Sequence, residues 1–288
     1  AVADITGEKD RAKGMGMIGA AFGLGFILGP AIGGMLSSVD LTDAGLPGLN
    51  RFSAPALAAL GLTVWNLVWV KFRLPETLSS EQRGTRPAHA RSLNPLRLFT
   101  GQNLPAGVSG TNLLFFLYQT AFAGMEFTLV FVAKERLGYK PHQMMWIFIF
   151  VGLLIALVQG GVVRRLAPKL GERRLVRVGL LMLIPGLLIV GWAQTELPFY
   201  GGLALLAIGS ALVSPCLSAL VSLYTPGDRQ GEVLGVFRSV GALSRAIAPI
   251  IAGLVFWKLG SQWPYYGSAL VMLAPLLLSA RLPSPGNE

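Results

Sequence analysis

Asn112, Gln119 and Glu126 recur every seven residues in an otherwise apolar stretch, so they fall on one stripe of a helix with Phe115 and Phe122 between them. Polar side chains are costly in lipid, so this stripe is expected to face the protein interior or a water-filled cavity. There Glu126 is a proton-coupling candidate, because a carboxyl group exchanges its proton as its surroundings alternate between wet and dry. The competing reading places Glu126 among headgroups, since Lys134 is two turns away. Arg238 and Arg245 repeat the seven-residue spacing in a later apolar run. A guanidinium at mid-bilayer costs at least about 2.5 kcal/mol and requires water or a partner. Arg238 is near enough to a helix end to reach the headgroups, whereas Arg245 is deeper and either pairs with a carboxylate or contacts an anion in a cavity. Gln159, Ser210, Ser214 and Pro215 are weaker lining candidates.

Other chemistry finds no support in the residues. Gly14, Gly16 and Gly19 match G-x-G-x-x-G, but no strand precedes them and no acidic residue follows about 20 positions on. The chain has no G-x-x-x-x-G-K-[ST] to cradle ATP, and no G-x-S-x-G or H-E-x-x-H. His89 and His142 stand alone without ligand spacing, and the single Cys216 lies in an apolar run. No enzyme activity, metal or cofactor is therefore expected.

The elements that must position the polar stripe are membrane helices. The chain has 288 residues, 53% of them hydrophobic and 13% charged, with mean hydropathy +0.59. Eight apolar spans are predicted, near 14–37, 53–72, 104–132, 142–163, 174–193, 197–223, 233–257 and 263–280. A net charge of +10 raises the question of nucleic acid, but the basic residues are distributed by loop sidedness and form no basic face. With residue 1 on the cytoplasmic side, that side holds seventeen Lys and Arg and the other holds five, which predicts both termini inside. The segment 74–103 carries several prolines and mixed charges, and divides the chain into 1–73, a central cytoplasmic loop and 104–288. Within it, Ser92 to Phe99 reads either as a short surface helix or as a solvated linker. The stretch 164–174 is short, basic and closed by Gly171, and predicts a tight turn at the headgroups.

Gly25, Gly29 and Gly33 recur every four residues in the first span and form a stripe where a second backbone can approach. Pro30 lies beside that stripe and cannot donate to the carbonyl of Phe26. The same arrangement returns 219 residues later, with Ser244, Ala248, Pro249, Ala252 and Gly253 matching Gly25, Gly29, Pro30, Gly33 and Gly34. Asp10-Arg11 precedes one copy and Asp228-Arg229 the other, so the chain reads as repeated helical units of the kind found in secondary transporters.

These residues resemble a known family. Ala3-Asp4 and Arg11 leading into Gly29-Pro30 and Gly33-Gly34 look like the fifth-helix signature of antiporters of the major facilitator superfamily. Leu74–Thr77 resembles that family's exit from its sixth helix, and Ser92–Leu96 the segment before its seventh. Gly160-Gly161, Arg164-Arg165 and Gly171–Arg174 are similar to its basic loop between the eighth and ninth helices. The resemblance covers essentially the whole chain and is nearest the drug-proton antiporter branch that includes tetracycline exporters. It implies an all-α membrane bundle of the major-facilitator type that starts after the fourth helix, so missing N-terminal helices would be needed for function. It also implies that the basic loop pairs with acidic groups and latches one conformation. Arg164-Arg165 stands where an acidic-basic pair is common in the first-half copy of that loop.

Span count, repeat and orientation together predict a transporter or channel in the cell (inner) membrane, and the resemblance adds proton-coupled export. The expected partners are the lipid bilayer, a small amphipathic solute and protons. Phe115, Phe116, Tyr118 and Phe122 suit an apolar solute better than a sugar, although uptake of a sugar or metabolite is the second reading. The third is a transport-incompetent membrane protein that binds only lipid or a partner.

Overall fold

The computed structural model describes residues 32–42, 48–50, 52–73, 104–105, 107–226 and 229–283, with positions 25, 28 and 29. Pro30, the Asp-Arg pairs' Asp10, Arg11 and Asp228, most of the first predicted span and the 74–103 segment lie outside these residues. Among the described residues the structure is all-helical, and seven helices are long and apolar enough to cross a membrane. They are Ser53–Arg73, Val108–Leu137, His142–Leu170, Glu172–Trp192, Glu196–Leu223, Gln230–Leu259 and Trp263–Arg281.

The chain divides into two units, one made of 1–91 with 140–152 and the other of 92–139 with 153–288. In the first unit α1, Ser53–Arg73, keeps only Ala54 buried and exposes Leu67, Trp69 and Phe72. An apolar helix this exposed is suited to a lipid surround. Gly34 is close to Met145 in this unit, where an added Cβ would meet the Met145 Cβ at 3.1 Å.

The second unit is built on α2, Val108–Leu137, whose ends are set by Gly107 at φ 84 and Gly138 at φ 67. A left-handed residue halts the helical ladder, and glycine adopts that conformation at no steric cost. Thirty residues make α2 about 45 Å long, enough to cross the hydrocarbon core and both headgroup layers.

The expected turn at 164–174 is for the most part helix. α3, Pro141–Leu157, widens into a π-helical turn at Val158–Val163 and continues as α4, Arg164–Leu170. Arg, Leu, Ala and Lys are good helix formers, so the ladder persists until Gly171, at φ 79 and ψ 149, breaks it. α5, Glu172–Trp192, and α6, Glu196–Leu223, then form an antiparallel pair joined by three residues. Gly179 faces Gly209 and Gly186 faces Gly202, and an added Cβ would stand 2.7 Å and 3.1 Å from the respective facing carbonyl oxygens. The backbones approach this closely because neither helix places a side chain between them.

α7, Gln230–Leu259, packs on α2 through the second copy of the small-residue stripe. Ser244, Ala248 and Ala252 are buried, and the Ser244 hydroxyl donates to the Phe116 carbonyl at 3.2 Å. The first copy differs. Among the described residues nothing lies within 4 Å of a Cβ built on Gly25, Gly29 or Gly33, and the close contact falls on Gly34 instead. The last of the seven, Trp263–Arg281, is broken at Met272 into two segments, α8, Trp263–Val271, and α9, Leu273–Arg281. Pro275 supplies no amide for the Val271 carbonyl, so the ladder is interrupted at Met272.

Candidate functional site

The polar stripe lies where α2 meets α7. Asn112 is fully buried, Gln119 is 6% exposed, and Phe115 is buried against Phe237 with ring centroids 4.1 Å apart. The close approach at Phe115 uses Gly241, where an added Cβ would meet the phenyl ring at 2.9 Å. Further along α2, Phe122 and Glu126 are only half-buried. The part of the stripe open to a solute in this unit is therefore the Phe122 to Glu126 end.

Arg245 joins that end from α7. It is exposed and follows Ser244, whose hydroxyl donates to the Phe116 carbonyl of α2. Tyr118 adds an aromatic wall beside Phe122, with centroids 5.9 Å apart. The structure thus places Tyr118, Phe122 and Glu126 along α2 and Arg245 on the α7 helix packed against it, and puts Asn112, Phe115 and Gln119 in the buried interior of the same unit. Pro249 bears directly on this group. It sits four residues after Arg245 in α7 and cannot donate to the Arg245 carbonyl, so the helical ladder lacks one bond at that turn. A carboxylate and a phenyl ring on one helix and a guanidinium on the helix packed against it can exchange a proton and hold an amphipathic solute.

The remaining predicted positions lie elsewhere on the helices. Arg238 is exposed, and so are Arg164 and Arg165 at the start of α4, while Gly171, Arg173 and Arg174 form the junction of α4 with α5. Among the described residues no group of His, Cys, Asp or Glu is arranged to hold a metal ion.

The far end of α2 carries a network that sequence reasoning missed. Arg136 donates through Nη1 to the carbonyls of Gly191 at 2.7 Å and Ala193 at 3.1 Å, and through Nη2 to the Ser261 hydroxyl at 3.1 Å. Ser261 in turn donates to Glu135 at 2.9 Å. A cation at the C-terminus of α5 meets the carbonyls that the helix leaves unpaired. Tyr139 donates to Glu196 at 2.9 Å, and burial together with its contacts to Tyr200 and Glu196 holds its phenol protonated well above the ordinary tyrosine range. A basic residue in the last turn of α2 was the available signal, but its acceptors are more than fifty residues away in the chain.

The all-helical fold agrees with one known family. The model for the Major Facilitator Superfamily matches residues 1–195 and 115–288. The chain belongs to the Major Facilitator Superfamily. Within it, the chain is 37% identical over 304 residues to major facilitator superfamily domain-containing protein 10 of Bos taurus, covering 99% of this chain and 63% of that protein. It therefore spans less than two thirds of that relative's length. It is also similar to the crystal structure of the human organic anion transporter MFSD10 (TETRAN), at TM-score 0.77 and 33% identity, covering 96% of this chain and 66% of that one. A tetracycline resistance protein, class C, of Escherichia coli is 27% identical, over 96% of this chain and 66% of its own length.

Proposed function

We propose that this superfamily member works in a secondary transporter that exports a small amphipathic molecule in exchange for protons by alternating access. The observation that carries the reading is the placement of the half-buried Glu126 on α2, near Phe122 and Tyr118, with Arg245 on α7, the helix packed against α2. A nearby guanidinium favours the ionised form of a carboxylate, and a dry surround favours the neutral form. The carboxylate stays ionised while the cation is near, and it accepts a proton when the cation is drawn to a solute or the site dries. Family membership and the seven apolar helices support a membrane carrier, and the similarity to a tetracycline resistance protein supports export. In this reading both termini face the cytoplasm and the Phe122 to Glu126 end of the stripe lines the solute path, with Asn112 and Gln119 packed behind it.

The decisive experiment is transport by the full-length protein in proteoliposomes. Glu126→Gln should abolish uptake driven by a pH gradient while solute exchange without a gradient persists. Gradient-driven transport at wild-type rates in that variant would remove Glu126 from the coupling step.

A second reading concerns the charge of the solute. The exposed guanidinium of Arg245 favours an amphipathic organic anion, and the similarity to the human organic anion transporter supports the same class.

A further inference from the structure

The break at Gly171 creates a second charged site, separate from the Glu126 group. Where α4 ends and α5 begins, a hollow of about 480 Å³ is lined by Lys169, Gly171, Glu172, Arg173, Arg174 and Arg177. Lys169, Arg173, Arg174 and Arg177 thus line one space together with a single carboxylate. The Nε of Arg177 is shielded from solvent and has no hydrogen-bond partner among the described residues. Lys169, Arg174 and Arg177 likewise have no ion pair among those residues. The 21-residue α5 begins here with Gly171 as its N-cap and no side chain capping its first amides, so the positive end of the helix opens at the same place.

Sidedness of charge accounts for basic residues at this end of the helices, but not for this geometry. Arg164 and Arg165 serve sidedness equally well from exposed positions. Cations gathered around one hollow repel each other, and an arginine Nε shielded without an acceptor is destabilising. An anion in the hollow relieves both. Its best match is a phosphate group, whose several oxygens accept forked guanidinium donors and helix amides together.

We propose that this hollow binds a phosphate-bearing anion through Lys169, Arg174, Arg177 and the N-terminus of α5. The position at a helix end near the headgroup layer makes the phosphate of an anionic lipid the nearest source, and soluble phosphate shares the chemistry.

Native mass spectrometry of the full-length protein in detergent, with phosphatidic acid against phosphatidylcholine, tests the lipid source. Phosphatidic acid adducts should be favoured by about tenfold, and Arg174→Gln with Arg177→Gln should remove that preference. Arg164→Gln with Arg165→Gln, which removes the same formal charge outside the hollow, should leave it within about twofold. Melting temperature in phosphate against chloride at equal ionic strength tests the soluble source, where a rise lost in the same double variant identifies free phosphate. Arg177→Lys and Arg174→Gln alone preserve more of the packing and should give intermediate losses if the double variant does not fold. Equal losses from both double variants would reduce the effect to diffuse attraction, and no preference in either arm would overturn the proposal. Neither readout involves transport, so the result stands apart from that of Glu126→Gln.

Discussion

Gly124 on α2 faces Ala252 on α7 so closely that a Cβ added to the glycine would lie 3.1 Å from the Ala252 Cβ. This contact is the second copy of the proline-bearing stripe at work, and it holds the faces that carry Glu126 and Arg245. Replacing Gly124 by Leu should force the helices apart and cost about 1–3 kcal/mol, as overpacking does. Leu113→Ala, on the exposed side of α2, should be nearly neutral. Melting curves in detergent check both, and equal tolerance would show that the α2–α7 contact is loose.

The α5–α6 pair makes the same test at two levels. A Cβ on Gly179 would lie 2.6 Å from a Val213 methyl and 2.7 Å from the Gly209 carbonyl oxygen. Gly179→Val should therefore lower the melting temperature more than Gly201→Val, because nothing lies within 4 Å of a Cβ at Gly201. A similar effect at both sites would contradict the close crossing.

Arg136 offers a test of tertiary capping. Arg136→Ala leaves the Gly191 and Ala193 carbonyls without their charged donor and should destabilise by about 1.5–3 kcal/mol, the range for hydrogen bonds to charged groups. Arg136→Lys keeps the charge but not the fork, so its melting temperature should fall between Arg136→Ala and the unmodified protein. A lysine variant no better than alanine would show that the fork carries the whole effect.

Orientation is open to chemical labelling, since the native Cys216 is buried and should not react. Cysteine at the exposed Ser38 or Lys140 should label from outside intact cells, and at the exposed Lys169 only after permeabilisation. The reverse pattern would invert the assigned sidedness.

Arg245 separates solute charge from coupling. Arg245→Gln should raise KM for an anionic solute about tenfold or more, the loss expected for a charge-assisted contact, and leave KM for a neutral amphipathic solute near its original value. An equal rise for both would assign Arg245 to packing around Glu126.

Composition and periodicity were sufficient for the class of fold, because a bilayer demands long apolar helices whatever their neighbours. They also placed Asn112, Gln119, Glu126 and Arg245 on single helical faces, since a seven-residue interval is two turns of any α-helix. The Gly179 and Gly186 spacing on α5 and its counterpart at Gly202 and Gly209 on α6 were equally visible in the chain, yet their register is fixed only when the two helices meet. The continuation of α3 through Val158–Val163 into α4 was hidden because charged residues are taken as a loop signal, although arginine and lysine sustain a helix well. Which end of the polar stripe stays open, where Arg136 finds its carbonyls, and how the cations at 169–177 come to line one hollow were decided by tertiary structure alone. Each depends on distances between helices far apart in the chain or on the angle at one glycine, and a one-dimensional pattern specifies neither.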